Sequence, residues 1–175
     1  MNNLFFIKQH NLVMDSSHIQ DIDIKTGVIT VSTTRNEAND TSGNEIKKLF
    51  SENKLNVVYY KIVPDSKKDI KDAVNEALSS SNCIVINGGT GLTHDDITIE
   101  TVLPMFDKKI DGFGELFRLK SYDDIGTGAL LSRAAAGIKD KKAIFCIPGS
   151  TGAVKLAMNE IILPEIRHIL THAGK

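Results

Sequence analysis

The apolar positions fall into short unbroken runs, each followed by a stretch in which they recur every three or four residues. VITVST (28–33), NVVYYKIV (56–63), CIVIN (83–87) and KAIFCIP (142–148) are the runs. Without polar alternation they read as strands buried on both faces. After the first, Ser42 and Glu45 have capping-box spacing and Ile46, Leu49 and Phe50 form one helical stripe. After the second, Ile70, Ala73, Val74, Ala77 and Leu78 do the same, with Asp65 or Ser66 as cap. After the last, Val154, Ala157, Met158, Ile161, Ile162, Ile166 and Ile169 share a face, and Pro164 is expected to kink that helix or begin a new one. The pattern predicts an α/β fold: a single doubly wound domain with a mostly parallel central sheet over 25–172.

Two regions do not follow the alternation. Residues 1–24 form an N-terminal extension with no clear period, in which Leu4 to Ile7 and Leu12 to Met14 are short apolar clusters. Residues 104–140 are longer than one crossover helix. They hold a glycine-rich piece, Gly112 and Gly114, and a short helix-like stretch around Leu130 to Ala136. An insertion there is expected at the carboxyl edge of the sheet, as ligand contacts or subunit interface.

Composition changes little. The 175 residues are 41% hydrophobic and 25% charged with a net charge of −1, which offers no general attraction for nucleic acid or anionic lipid. No apolar stretch reaches the ~20 residues of a membrane span and the start is not a secretory signal, so a cytoplasmic protein is expected. Cys83 and Cys146 lie inside apolar runs and read as buried free thiols. His10, His18, His168 and His172 read as surface groups, Asp21 and Asp23 as a solvated loop, and Tyr59 and Tyr60 as packing. His94 has no nucleophile at a recognisable spacing.

Chemistry is expected where small residues follow strands: Ser32-Thr33-Thr34, Gly88-Gly89-Thr90-Gly91 and Pro148-Gly149-Ser150. Ligands of open α/β sheets bind at that edge, and glycines let backbone N–H groups approach an anion. The glycines alone also suit a tight strand-to-helix turn. Asp95 and Asp96 each suit an N-cap, but two carboxylates beside a phosphate would repel it unless a cation lay between. Asp65 carries the same ambiguity.

GGTGLTHDDIT (88–98), LPMFDKKIDGFGELFR (103–118), LLSRAAAG (130–137), IPGSTGAV (147–154) and the Asp40-Ser42-Gly43 motif of STTRNEANDTSG (32–43) together resemble the molybdenum cofactor biosynthesis family of the MoaB/Mog type. The resemblance runs from about residue 25 to 170. It implies a molybdopterin adenylyltransferase that joins ATP and molybdopterin with Mg²⁺ and releases pyrophosphate, assembled as a homotrimer or homohexamer, with a molybdenum-insertion protein as a further partner. It implies Gly88, Gly89, Thr90, Gly91, Pro148, Gly149 and Ser150 as nucleotide-phosphate contacts, Asp96 as metal-associated catalytic acid and Asp65 as the second acid. Asp40, Ser42, Glu115, Ser132 and Arg133 are implied on the pterin side, with Gly112 beside Glu115. Where active relatives commonly have arginine this chain has Asp95, and Ile99 stands for a proline. A catalytically silent binding member is therefore the alternative reading, and a peptide-binding scaffold the third.

Overall fold

A computed structural model describes residues 20–175. The clusters 4–7 and 12–14, with His10 and His18, lie outside the described residues. The elements run β1 (Lys25–Val31), α1 (Thr41–Glu52), β2 (Asn56–Val63), α2 (Lys67–Ser80), β3 (Cys83–Asn87), α3 (Thr98–Val102), β4 (Lys108–Lys109), α4 (Asp111–Ile125), β5 (Ala135–Lys139), β6 (Lys142–Ile147), α5 (Thr151–Ala157) and α6 (Leu163–Gly174). They build one six-stranded sheet in the order β2-β1-β3-β6-β5-β4. The four strands β2, β1, β3 and β6 are parallel, while β5 and β4 continue the sheet antiparallel.

The buried runs are explained by helices on both faces. Along β3, Cys83 and Val85 face a layer containing Phe50, Phe113, Phe117, Phe145 and Met158. Ile84 and Ile86, on the opposite face, pack with Ile70, Val74, Val102 and Ile144. β1 pairs with β2 on one side and β3 on the other, so the chain winds outward in both directions from the β1/β3 pair. The crevice at their carboxyl ends is where such sheets bind ligands. Both cysteines are buried and free, and burial raises both thiols, that of Cys146 to about 12, consistent with a packing role.

Several expectations need correction. β1 is displaced to 25–31, and Ser32 and Thr33 leave the strand. β2 is the outer strand of the sheet and only half-buried, because its far edge has no strand neighbour among the described residues. Ser42 is not the cap of α1; Asp40 is, accepting from the Gly43 N–H at 3.0 Å. Ser66, not Asp65, caps α2. The stretch 130–136 is helical only at its start: a 3-10 helix over 126–131 ends at Leu131, and 135–139 pairs with β6 as β5, tertiary pairing overriding alanine's helix preference. The helix of this region is instead 111–125, anchored by Phe113 and Phe117, and its Gly114 is needed because a Cβ would lie 2.7 Å from the Ala134 carbonyl oxygen. His168 is half-buried against Glu165 and the ring of His172 rather than at the surface.

Pro164 acts as expected. The helical path widens to a π-turn over Met158–Ile162 before α6 starts. A proline one residue into α6 lacks the N–H that would continue the preceding ladder. At the other end of the described chain, Gln20 and Asp21 bind Thr171 and Arg167 of α6. No helix among the described residues is long and apolar enough to cross a membrane.

Candidate functional site

β1, β3 and β6 end together, and their continuations meet in a cavity of about 440 Å³. The apolar run of β3 terminates in Asn87, which is fully buried although polar. The chain then turns through Gly88 and Gly89 at φ +94° and +59°, backbone that residues with a Cβ rarely adopt. A Cβ on Gly88 would run into the Val31 carbonyl, and one on Gly149 would lie 3.1 Å from the Gly88 Cα. The three strand ends are therefore packed backbone against backbone.

The glycine loop is held from below and behind. The Gly88 N–H donates to the Ile147 carbonyl at 3.1 Å, and the start of α3 reaches back, Thr98 Oγ1 donating to Gly88 O at 2.8 Å and Thr98 N to Gly89 O at 2.9 Å. The N–H groups of Gly89 and Thr90 have no protein partner among the described residues, and both residues line the cavity. Main-chain donors left free of the protein at a cavity wall are open to a bound anion or to water. The loop has the donor pattern of an anion nest.

Gly88, Gly89, Thr90, Gly91, Asp96, Ser132, Pro148 and Gly149 are brought together as lining. Arg133 stands beside them, donating to the Gly91 carbonyl at 2.9 Å and pairing with Glu100. Asp65 lies at the loop's edge, accepting from the Thr33 N–H at 3.1 Å and hydroxyl at 2.9 Å. Ser150 is outside the lining and caps α5 through Ala153 N. Glu115 and Gly112 are exposed on α4 and outside it too. Asp40 and Ser42 are fully buried beneath the floor, so Arg35 stands between them and the cavity.

Asp96 is the carboxylate on the rim. Its Oδ2 accepts from the Thr93 hydroxyl at 2.6 Å and the Thr93 N–H at 3.0 Å. The hydroxyl bond first, helped by backbone donors and the Arg133 charge, holds the carboxyl below its ordinary value. Glu100 is pushed up most by desolvation, but the Arg133 bond, a backbone donor and the Arg133 charge together outweigh that and leave it lowered. Asp95 and His94 are exposed and do not line the cavity. No group of three or more metal-binding side chains occurs among the described residues. Mg²⁺ needs only one or two carboxylates when substrate phosphates supply further oxygens, so ionised Asp96 beside an anion nest fits that ion.

Sequence reasoning missed Arg35, Tyr60 and Asn87. Arg35 lines the cavity, and the Tyr60 hydroxyl, expected to be mere packing, donates to Asp40 at 2.8 Å. The available signals were an arginine between a strand end and a cap, and an asparagine closing an apolar strand.

Residues 27–168 match a family described as a probable molybdopterin binding domain. A Staphylococcus carnosus protein named molybdenum cofactor biosynthesis protein B is 48% identical over 159 residues, covering 89% of this chain and 94% of that one. A crystal structure of a protein with the same name superposes with a TM-score of 0.85 at 44% identity, covering 87% of this chain and 97% of the other. The tungsten cofactor synthesizing protein MoaB of Pyrococcus furiosus gives 0.82 at 45% identity, over 89% and 100%.

Proposed function

This chain belongs to the molybdopterin-binding family just described, and from that premise we propose that it serves molybdenum cofactor biosynthesis by adenylylating molybdopterin with ATP. The observation that carries the reading is the Gly88–Gly91 loop: two main-chain donors without a partner among the described residues, on residues that line a cavity with an ionised carboxylate on its rim. A triphosphate suits those donors, and the strand ends beneath them pack so closely that a Cβ on Gly88 or Gly149 would crowd the neighbouring backbone.

The pterin's terminal phosphate oxygen attacks the α-phosphorus of ATP, a new P–O–P bond forms, and the bond to the β-phosphate breaks to release pyrophosphate. The attacking oxygen is already anionic and needs no general base. Alignment and charge neutralisation then supply most of the rate. The loop N–H groups orient the phosphates, Arg133 fixes the loop through Gly91 O, and the Thr93 hydroxyl holds the Asp96 carboxylate in place. Asp96 would hold Mg²⁺, which when bound neutralises phosphate charge.

Asp95 gives little support to the silent reading. Its carboxylate is exposed and off the cavity wall, whereas Arg35 lines the cavity and Arg133 stands beside it on the Gly91 carbonyl. The test is to incubate the purified chain with molybdopterin, Mg²⁺ and α-labelled ATP. Label appearing in adenylylated molybdopterin, with equimolar pyrophosphate, is the expected result; binding of both substrates without product contradicts it.

A further inference from the structure

Beneath the cavity floor lies a polar cluster in an otherwise apolar layer. Thr30, Asp40, Ser42 and Asn87 are all fully buried. Asp40 Oδ2 accepts from the Thr30 hydroxyl at 2.6 Å and the Tyr60 hydroxyl at 2.8 Å. Its Oδ1 faces Gly43 N at 3.0 Å, the Ser42 hydroxyl at 3.2 Å and Arg35 Nη1 at 3.4 Å. Asn87 Nδ2 donates to Thr30 Oγ1 at 2.9 Å and Ile29 O at 3.2 Å, tying the cluster to β1. The Lys47 ammonium lies 3.7 Å from the centre of the Tyr60 ring.

Capping α1 alone does not call for this. A serine or asparagine caps as well as aspartate and buries no charge. The cluster's outlet is Arg35, whose side chain is 29% exposed. Nη1 binds Asp40 and Ser42, and Nη2 donates to the Gly149 carbonyl at 3.2 Å, bridging the ends of β1 and β6. Of its five N–H groups, Nε–H and one on Nη2 have no partner among the described residues, and the residue lines the cavity.

We propose that Arg35 is the cavity's oxyanion-binding cation, contacting a ligand phosphate opposite the Gly89–Thr90 donors, and that Asp40 and Tyr60 are positioning residues that fix its guanidinium plane. The assignment deepens the adenylylation reading and rests on it for the identity of the ligand, a polyphosphate. Arginine suits the task because its fork matches two phosphate oxygens, and a guanidinium already tied at Nη1 loses little freedom on binding.

The experiment is calorimetric titration of the full-length chain with pyrophosphate, for wild type, Arg35→Gln, Arg35→Lys, Asp40→Asn and Tyr60→Phe, each checked by thermal melting. Arg35→Gln is expected to weaken binding about tenfold or more, the loss of one charge-assisted pair, with Arg35→Lys recovering part of it. Asp40→Asn keeps the cap, and Tyr60→Phe keeps the ring. Both are expected to weaken binding several-fold and, in turnover, to raise KM while leaving kcat near wild type. Unchanged affinity in Arg35→Gln overturns the assignment of the cation; unchanged affinity and KM in both Asp40→Asn and Tyr60→Phe overturns their positioning role. Wild-type protein that binds pyrophosphate but never adenylylates would sink the proposed activity and leave this inference standing. Wild-type protein that does not bind pyrophosphate overturns both.

Discussion

The Thr93 hydroxyl donates to Asp96 Oδ2 at 2.6 Å, three residues back along the same loop. That bond is the first cause of the lowered carboxyl pKa of Asp96. A group with a depressed folded-state pKa stays ionised as pH falls past its ordinary value, here 3.8. Removing the hydroxyl takes away the main depressing cause. In a carbon-13 NMR titration, the Asp96 midpoint of Thr93→Val should therefore move upward from that of wild type, with the fold unchanged. An unmoved midpoint would show that another group sets the ionisation.

Asp96→Asn removes the rim charge but keeps nearly the same shape. The residue lies in a surface loop and caps no helix, so the melting temperature should stay within a few degrees of wild type. Adenylylation should fall by at least a hundredfold, the size typical of losing one transition-state electrostatic contact. A near-normal rate would remove Asp96 from the mechanism.

Two glycine-to-alanine changes should act in opposite directions. At Gly88, positive φ and the Val31 carbonyl both oppose a Cβ, so Gly88→Ala should cost about 1–3 kcal/mol and disturb the loop. Gly152 is exposed in α5 with nothing within 4 Å of an added Cβ, so Gly152→Ala should stabilise by about 0.5–1 kcal/mol. Urea unfolding of both variants checks the pair.

Arg133 acts on the loop from the side. Replacing it with glutamine removes the charge paired with Glu100 and the 2.9 Å bond to Gly91 O. Arg133→Gln should raise the nucleotide Kd about three- to tenfold, the range for one modest hydrogen bond. Equilibrium binding of a fluorescent ATP analogue measures it.

Much of this molecule can be read from its chain because the signals are local. Unbroken apolar runs such as CIVIN mark strands covered on both faces, and the glycine loop and Pro148-Gly149 point to the edge where the cavity lies. The failures have a common cause in long-range contacts. Ala135 and Ala136 favour a helix alone but are held as strand by Phe145 and Cys146. Arg35 makes its bond to Gly149 across 114 positions, and Tyr60 reaches Asp40 across 20, so no local period reveals either. Ser42 has the spacing of a cap, yet Asp40 takes that place because Thr30 and Tyr60 are waiting for its carboxylate.

In the proposed reaction the Gly88–Gly91 loop cradles a nucleotide polyphosphate. A crystal structure of this chain grown with Mg²⁺ and a non-hydrolysable ATP analogue tests it most directly. Phosphate oxygens are expected within hydrogen-bond distance, about 2.7–3.2 Å, of the Gly89 and Thr90 nitrogens. Nucleotide bound elsewhere, with those two nitrogens facing only solvent, would contradict it.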